Sequence, residues 1–215
     1  MTIKGVMFDL DGTLIDSLPV IVKTSLKVCE ELSIKADEAK IVGQIGLPLL
    51  TTGENFMGKG QGQLYFDTYQ KYFYDILAEG LEVFPGIESL LNELKSCGQQ
   101  TAVVTSKSRR SAEASLDMAG LGKYFDLVVT VNDDCGHKPA PDPALFALNK
   151  LGAQAANSIF VGDSLFDILC AKSAGCAACG VLWGAGSREQ LQKSGADFIA
   201  PTVNELHGYL LAIIK

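Results

Sequence analysis

Short runs of apolar and β-branched residues alternate along the chain with longer stretches in which apolar positions recur every three or four residues. Five runs, at 3–8, 101–105, 127–131, 159–161 and 180–183, are rich in apolar and β-branched residues, which predicts short buried strands of a parallel sheet. Between them Ile87, Leu90, Leu91 and Leu94 keep helical spacing and stop before Gly98. Ala144, Leu145, Leu148 and Leu151 do the same before Gly152. Strand and helix in alternation predict a doubly wound α/β fold.

One segment departs from this rhythm. Between Ser17 and Glu82 no buried strand is expected; Leu18, Ile21, Val22, Leu26 and Cys29 form one helical face, and the aromatic-rich stretch 64–77 has helical spacing. Pro85 and Gly86 then mark a boundary. The expected organisation is a core of residues 1–16 and 83–215 with a helical cap, residues 17–82, inserted after the first strand. Gly58-Lys59-Gly60-Gln61-Gly62 lacks the spacing of a phosphate loop and a preceding strand, so it reads as a connector between cap helices.

Composition narrows the function classes. A chain of 215 residues, 47% hydrophobic, can bury the core such a fold needs. Its net charge of −7, with no basic run longer than Arg109-Arg110, argues against a nucleic-acid partner. No apolar stretch approaches the roughly 20 residues of a spanning helix, and the first residues lack a signal-peptide pattern, so a cytoplasmic protein without a membrane partner is expected. Monomer and homodimer are both compatible with the sequence. The six cysteines read as buried free thiols, including the Cys176-x-x-Cys179 pair, which has no second ligand pair.

The chemistry begins at Asp9 and Asp11. Residues i and i+2 of an extended segment project to the same side, so two carboxylates converge where the first strand opens into a loop, and a divalent cation, a shared proton or solvent must offset them. Ligands of open parallel sheets bind at the carboxyl ends of the strands. There the sequence also delivers Thr105 and Ser106, Lys138, and Asp163 with Asp167. This set suits phosphoryl transfer, which needs positioning and positive charge. Asp9 is the candidate nucleophile and Asp11 the candidate acid/base. Asp163 completes a Mg²⁺ site, and Thr105, the Ser106 amide and Lys138 hold phosphate oxygens. Taken singly each has a plainer reading: Asp163 a loop residue, Lys138 a solvated loop lysine, His137 a surface residue, and Ser164-x-x-Asp167 a capping box.

Together, Phe8-Asp9-Leu10-Asp11-Gly12-Thr13-Leu14, Val104-Thr105-Ser106, Lys138-Pro139 and Gly162-Asp163-Ser164-x-x-Asp167 resemble, in order, the four motifs of the haloacid dehalogenase superfamily. The inserted helices are similar to the small cap of its phosphoglycolate phosphatase, pyrophosphatase and β-phosphoglucomutase branch. The resemblance implies Mg²⁺-dependent hydrolysis of a small-molecule phosphomonoester, phosphoglycolate phosphatase-like. It implies metal ligation by Asp9, the carbonyl of Asp11 and Asp163, with Thr13 and Asp167 as supporting residues. Gly43, Gly46 and Pro48 resemble the cap loop that meets the active site, which makes Gly46 a substrate-binding candidate. Leu47, Leu49 and Leu50 offer no arginine for a sugar phosphate, which argues against a phosphomutase. Lys59 and Lys107 are candidates for a second anionic group of the substrate, a solvated surface role being favoured for each. A pyrophosphatase is the nearest alternative. A 2-haloacid dehalogenase and a non-catalytic phosphate-binding domain are the alternatives of other classes, and Asp11 argues against the first because halide leaves without a proton.

Overall fold

The computed structural model describes residues 3–214; residues 1, 2 and 215 of the expected core lie outside the described residues. Strand β1 (Gly5–Phe8) leads through a tight loop to the two-residue β2 (Ile15–Asp16). Four helices follow: α1 (Leu18–Glu31), α2 (Glu38–Val42), α3 (Leu49–Met57) and α4 (Gly62–Leu77). Strand β3 (Glu82–Val83) returns antiparallel to β2. Then come α5 (Ile87–Ser96), β4 (Gln100–Val104), α6 (Arg109–Ala119), β5 (Leu127–Val129) and α7 (Asp142–Leu151). The chain ends with β6 (Ser158–Gly162), α8 (Leu165–Ala174), β7 (Ala177–Val181), α9 (Arg188–Lys193), β8 (Phe198–Ala200) and α10 (Val203–Ile213). Six strands make one parallel sheet in the order β5-β4-β1-β6-β7-β8.

The apolar runs are explained by burial on both faces. Along β1, Val6 and Phe8 pack with Leu90, Leu116 and Leu206 on one side, while Met7 packs with Leu148, Ile168 and Ala171 on the other. A separate apolar cluster joins α1 to α4 through Val20, Val28, Tyr65, Tyr69 and Phe73. The Tyr69 and Phe73 rings stack at 5.6 Å.

Several sequence expectations need correction. The apolar run at 180–183 belongs to a strand that starts at Ala177, as Ala177-Ala178 suggest, and ends at Val181. Small residues are required there: a Cβ on Gly180 would meet Leu191 Cδ1 at 2.9 Å. The three-residue β8 gave too short a pattern to be expected at all. On α7 Leu145 is 45% exposed, the buried face being Ala144, Ala147, Leu148 and Leu151. On α1 the buried face is Val20, Thr24, Ser25, Val28 and Cys29, and Leu26 is exposed. Thr24 tolerates burial because its hydroxyl donates to the Val20 carbonyl at 2.7 Å. Two of the six thiols are not buried: Cys97 is exposed and Cys135 half-buried. Among the described residues no helix is long and apolar enough to cross a membrane.

Candidate active site

Sheet register sets the geometry. Phe8 lies level with Val103 of β4 and Val161 of β6, so Asp9 emerges beside Val104 and Gly162, with Thr105 and Asp163 one step beyond. The Asp9 amide still donates to the Val161 carbonyl at 2.9 Å, which continues the ladder up to the carboxylate. The loop then folds back over Asp163. Gly12 has φ +75°, and a Cβ there would lie 2.4 Å from Asp163 Oδ2, so only glycine fits both demands. Thr13 Oγ1 donates to Asp163 Oδ1 at 3.3 Å, and the Ala185 amide donates to Asp163 Oδ2 at 2.7 Å. Trp183 Nε1 donates to the Thr13 carbonyl at 3.1 Å and ties the loop to the chain beyond β7.

Lys138 is not a solvated loop lysine. Its side chain is 1% exposed, and Nζ donates to Asp9 Oδ1 at 2.8 Å, to Asp167 Oδ1 at 2.6 Å and to the Val104 carbonyl at 3.3 Å. Asp167 holds the lysine and also caps α8, since its Oδ2 accepts from the Ser164 amide at 3.0 Å and hydroxyl at 2.6 Å. The capping box expected at Ser164 is therefore present, and it orients a carboxylate toward the lysine.

Asp11 occupies a different setting at the mouth of the same cluster. Its Oδ1 accepts from Ser17 Oγ at 2.5 Å and from Lys107 Nζ at 2.6 Å. This overturns the surface role favoured for Lys107, whose side chain is 9% exposed and whose Nζ lies 5.1 Å from the Phe73 ring centroid. Ser17 was not singled out from sequence. Its signal, a hydroxyl six residues beyond Asp11, appears only once the loop closes. Lys59 and His137 are exposed as expected.

Thr105 is buried, and its Oγ1 accepts from the Lys107 amide at 3.2 Å. Ser106 Oγ donates to the Gly46 carbonyl at 2.6 Å and fastens the helical insertion to the sheet edge. The two parts enclose a cavity of about 70 Å³ lined by Asp9, Asp11, Gly46, Thr105, Ser106 and Lys107, with apolar side chains from α1, α2, α3 and α4. The structure thus brings every expected site residue to one sheet edge, some in the wall of the cavity and Thr13, Lys138, Asp163 and Asp167 behind it.

The charges are strongly coupled. Burial pushes the Asp9 carboxyl well above the usual carboxylate range; Lys138 pulls it back, while Asp167, Asp163 and Asp11 push it up further. Burial, reinforced by Asp167, raises Asp163 to about 7 against the Ala185 amide and Lys138. Burial disfavours the Lys138 ammonium, but Asp167 and Asp9 overcome it and hold the group above its ordinary value. Four carboxylates (Asp9, Asp11, Asp163, Asp167) face two ammonium groups (Lys107, Lys138), a deficit that one divalent cation balances. Ligand oxygens of Asp9, Asp163 and Asp167 lie within 4.8 Å of one another, an all-oxygen set that fits a hard cation. Both oxygens of Asp167 are engaged, by Lys138 and Ser164, and both of Asp163 accept from Thr13 and the Ala185 amide, so these neighbours fix how the three carboxylates face one another. The cysteines stand apart: burial raises Cys176 to about 11 and Cys179 to about 12, so neither is a ready thiolate.

Known proteins resemble this chain over nearly its whole length. The family model for haloacid dehalogenase-like hydrolases matches residues 6–181. A phosphoglycolate phosphatase of Neisseria meningitidis is 33% identical over 95% of this chain and 92% of its own length. A pyrophosphatase of Bacillus velezensis is 29% identical over 95% and 94%. The crystal structure of a predicted phosphatase from Clostridium acetobutylicum superposes with a TM-score of 0.89 at 30% identity, covering 99% of this chain and all of that one. The chain belongs to the haloacid dehalogenase-like hydrolases, and relatives that it matches over nearly its whole length are named as phosphatases.

Proposed function

We propose that this hydrolase cleaves a small-molecule phosphomonoester through an aspartyl-phosphate on Asp9. The observation that carries the reading is the contrast between two carboxylates in one loop. Asp9 is buried and gripped by Lys138 at 2.8 Å, whereas Asp11 stands at the cavity with Ser17 and Lys107 on one oxygen. A buried, oriented carboxylate suits nucleophilic attack on phosphorus. A carboxylate at the cavity wall suits proton transfer to and from the groups that enter and leave.

In the first step an Asp9 oxygen bonds to phosphorus, the ester P–O bond breaks, and the departing alkoxide takes a proton from Asp11. In the second, Asp11 removes a proton from water, the water oxygen bonds to phosphorus, and the Asp9–phosphorus bond breaks to release inorganic phosphate. Thr105 and the Ser106 amide bind phosphate oxygens, while Lys138 neutralises Asp9 and the transferred group. Asp9, Asp163 and the Asp11 carbonyl would hold Mg²⁺, which when bound supplies positive charge to the phosphate and keeps Asp9 anionic. Asp167 is a positioning residue that aims Lys138.

Residues 17–82 act as a cap over a core of residues 1–16 and 83–215. The separate apolar cluster of α1 and α4 supports this division, as does the Ser106 to Gly46 hydrogen bond, which gives the cap a specific closed position that excludes water. The dehalogenase reading is disfavoured by the investment in Asp11, since halide departure needs no acid. The test is turnover of p-nitrophenyl phosphate with Mg²⁺: Asp9→Asn abolishes phosphate release, and retained turnover refutes the assignment.

A further inference from the structure

The leaving-group side of the cavity is nearly devoid of charge. Its cap wall is built from Ile21, Ile41, Ile45, Leu47, Leu49 and Phe73, and the polar groups among them are neutral hydroxyls and one amide. Among the described residues the sole cation lining the cavity is Lys107, and it is already engaged by Asp11 at 2.6 Å. Lys138 lies behind Asp9, held between Asp9 and Asp167.

An anionic leaving group, such as the carboxylate of phosphoglycolate or the second phosphate of pyrophosphate, would enter a space with no unpaired positive charge. A buried charge without a partner is strongly disfavoured. To pair with Lys107 a second anion has to compete with the 2.6 Å contact that Lys107 makes to Asp11. A neutral alcohol with an alkyl or aryl body meets no such obstacle and covers the apolar wall instead.

We propose that the substrates are phosphomonoesters whose leaving group is small, uncharged and partly apolar, and that this enzyme discriminates against phosphoglycolate and pyrophosphate. The inference rests on the phosphatase reading and sharpens it from a reaction class to a substrate class. Lys107 then serves Asp11, holding it through the reaction, rather than recognising a second anionic group.

The experiment compares initial rates with Mg²⁺ on a matched pair, n-propyl phosphate and phosphoglycolate, which differ in an ethyl group against a carboxylate. Glycolate is the better leaving group chemically, so a preference for propyl phosphate reports binding. The expected result is a kcat/KM at least tenfold higher for propyl phosphate, with pyrophosphate also poor. Leu47→Arg, at a half-buried position, is expected to raise kcat/KM for phosphoglycolate at least tenfold. Equal or better turnover of phosphoglycolate or pyrophosphate by the wild-type enzyme overturns the inference and needs no variant. p-Nitrophenyl phosphate separates the two levels. Its hydrolysis together with a phosphoglycolate preference defeats only the substrate class, whereas no phosphate release from any ester defeats the phosphatase reading as well.

Discussion

Replacing Lys138 with methionine keeps the aliphatic stem but removes the ammonium that Asp9 and Asp167 share. Two buried contacts of 2.8 and 2.6 Å disappear together, and the partner side chains are 4% and 1% exposed, so water cannot take over. Removing one member of a buried ion pair costs about 3–5 kcal/mol, because the orphaned charge stays buried. Against a total stability of roughly 5–15 kcal/mol, that is a large fraction. For a chain of this size it corresponds to a fall in Tm of roughly 6–20 °C, at about 2–4 °C per kcal/mol. Urea unfolding followed by far-UV circular dichroism in EDTA measures the loss as a shift in midpoint at constant slope. Asp167→Asn keeps an oxygen for the Ser164 amide while deleting the charge, so adding it to Lys138→Met should recover on the order of 1–3 kcal/mol. A Lys138→Met variant within about 1 kcal/mol of wild type, or a double variant worse than the single, would refute this account of the buried cluster.

Three further outcomes follow from the same geometry. Asp11→Asn should lower turnover of an alkyl phosphate about 10²–10⁴-fold and of p-nitrophenyl phosphate much less, because nitrophenolate leaves unaided; equal losses in steady-state rates would remove Asp11 from acid catalysis. Asp163, with its carboxyl raised from 3.8 to about 7, binds more protons folded than unfolded between those values, so metal-free stability should fall as pH rises from 4 to 7. Mg²⁺ should then stabilise the protein more at pH 7.5 than at pH 5 in thermal melts with and without EDTA, and a pH-independent increment contradicts the metal site. Ser106→Ala removes the hydroxyl that holds the Gly46 carbonyl, a loss of about 1 kcal/mol in cap closure, so kcat/KM should drop about fivefold while Tm stays near wild type.

The sequence was most informative where a residue's environment is decided within a few neighbours. Val6, Met7 and Phe8 are apolar because β1 is covered on both faces, and that pattern needs no tertiary knowledge to read. Ser164 and Asp167 likewise announce their capping box by spacing alone. Long-range partners were harder. Lys138 is placed at the site by the joint pattern of motifs, whereas Lys107 looks like an ordinary loop lysine until parallel pairing of β1 with β4 and β6 gathers the loops into one site. Asp9 then lies within hydrogen-bond reach of a lysine 129 residues away. The α1 face was misread because Thr24 satisfies its hydroxyl on its own helix and so buries a polar residue, while Leu26 remains exposed. In β7, Gly180 stands where strands usually carry branched residues, because a Cβ there would meet Leu191 Cδ1 at 2.9 Å.

The central claim is that phosphorus becomes covalently attached to Asp9 during turnover. Rapid mixing of enzyme and Mg²⁺ with a ³²P-labelled phosphomonoester, acid quenching, and mapping of the label by proteolysis tests it directly. The account predicts a transient, hydroxylamine-sensitive label on the peptide containing Asp9, absent from Asp9→Asn. Phosphate release with no label on the wild-type protein, or a label that survives in Asp9→Asn, would contradict it.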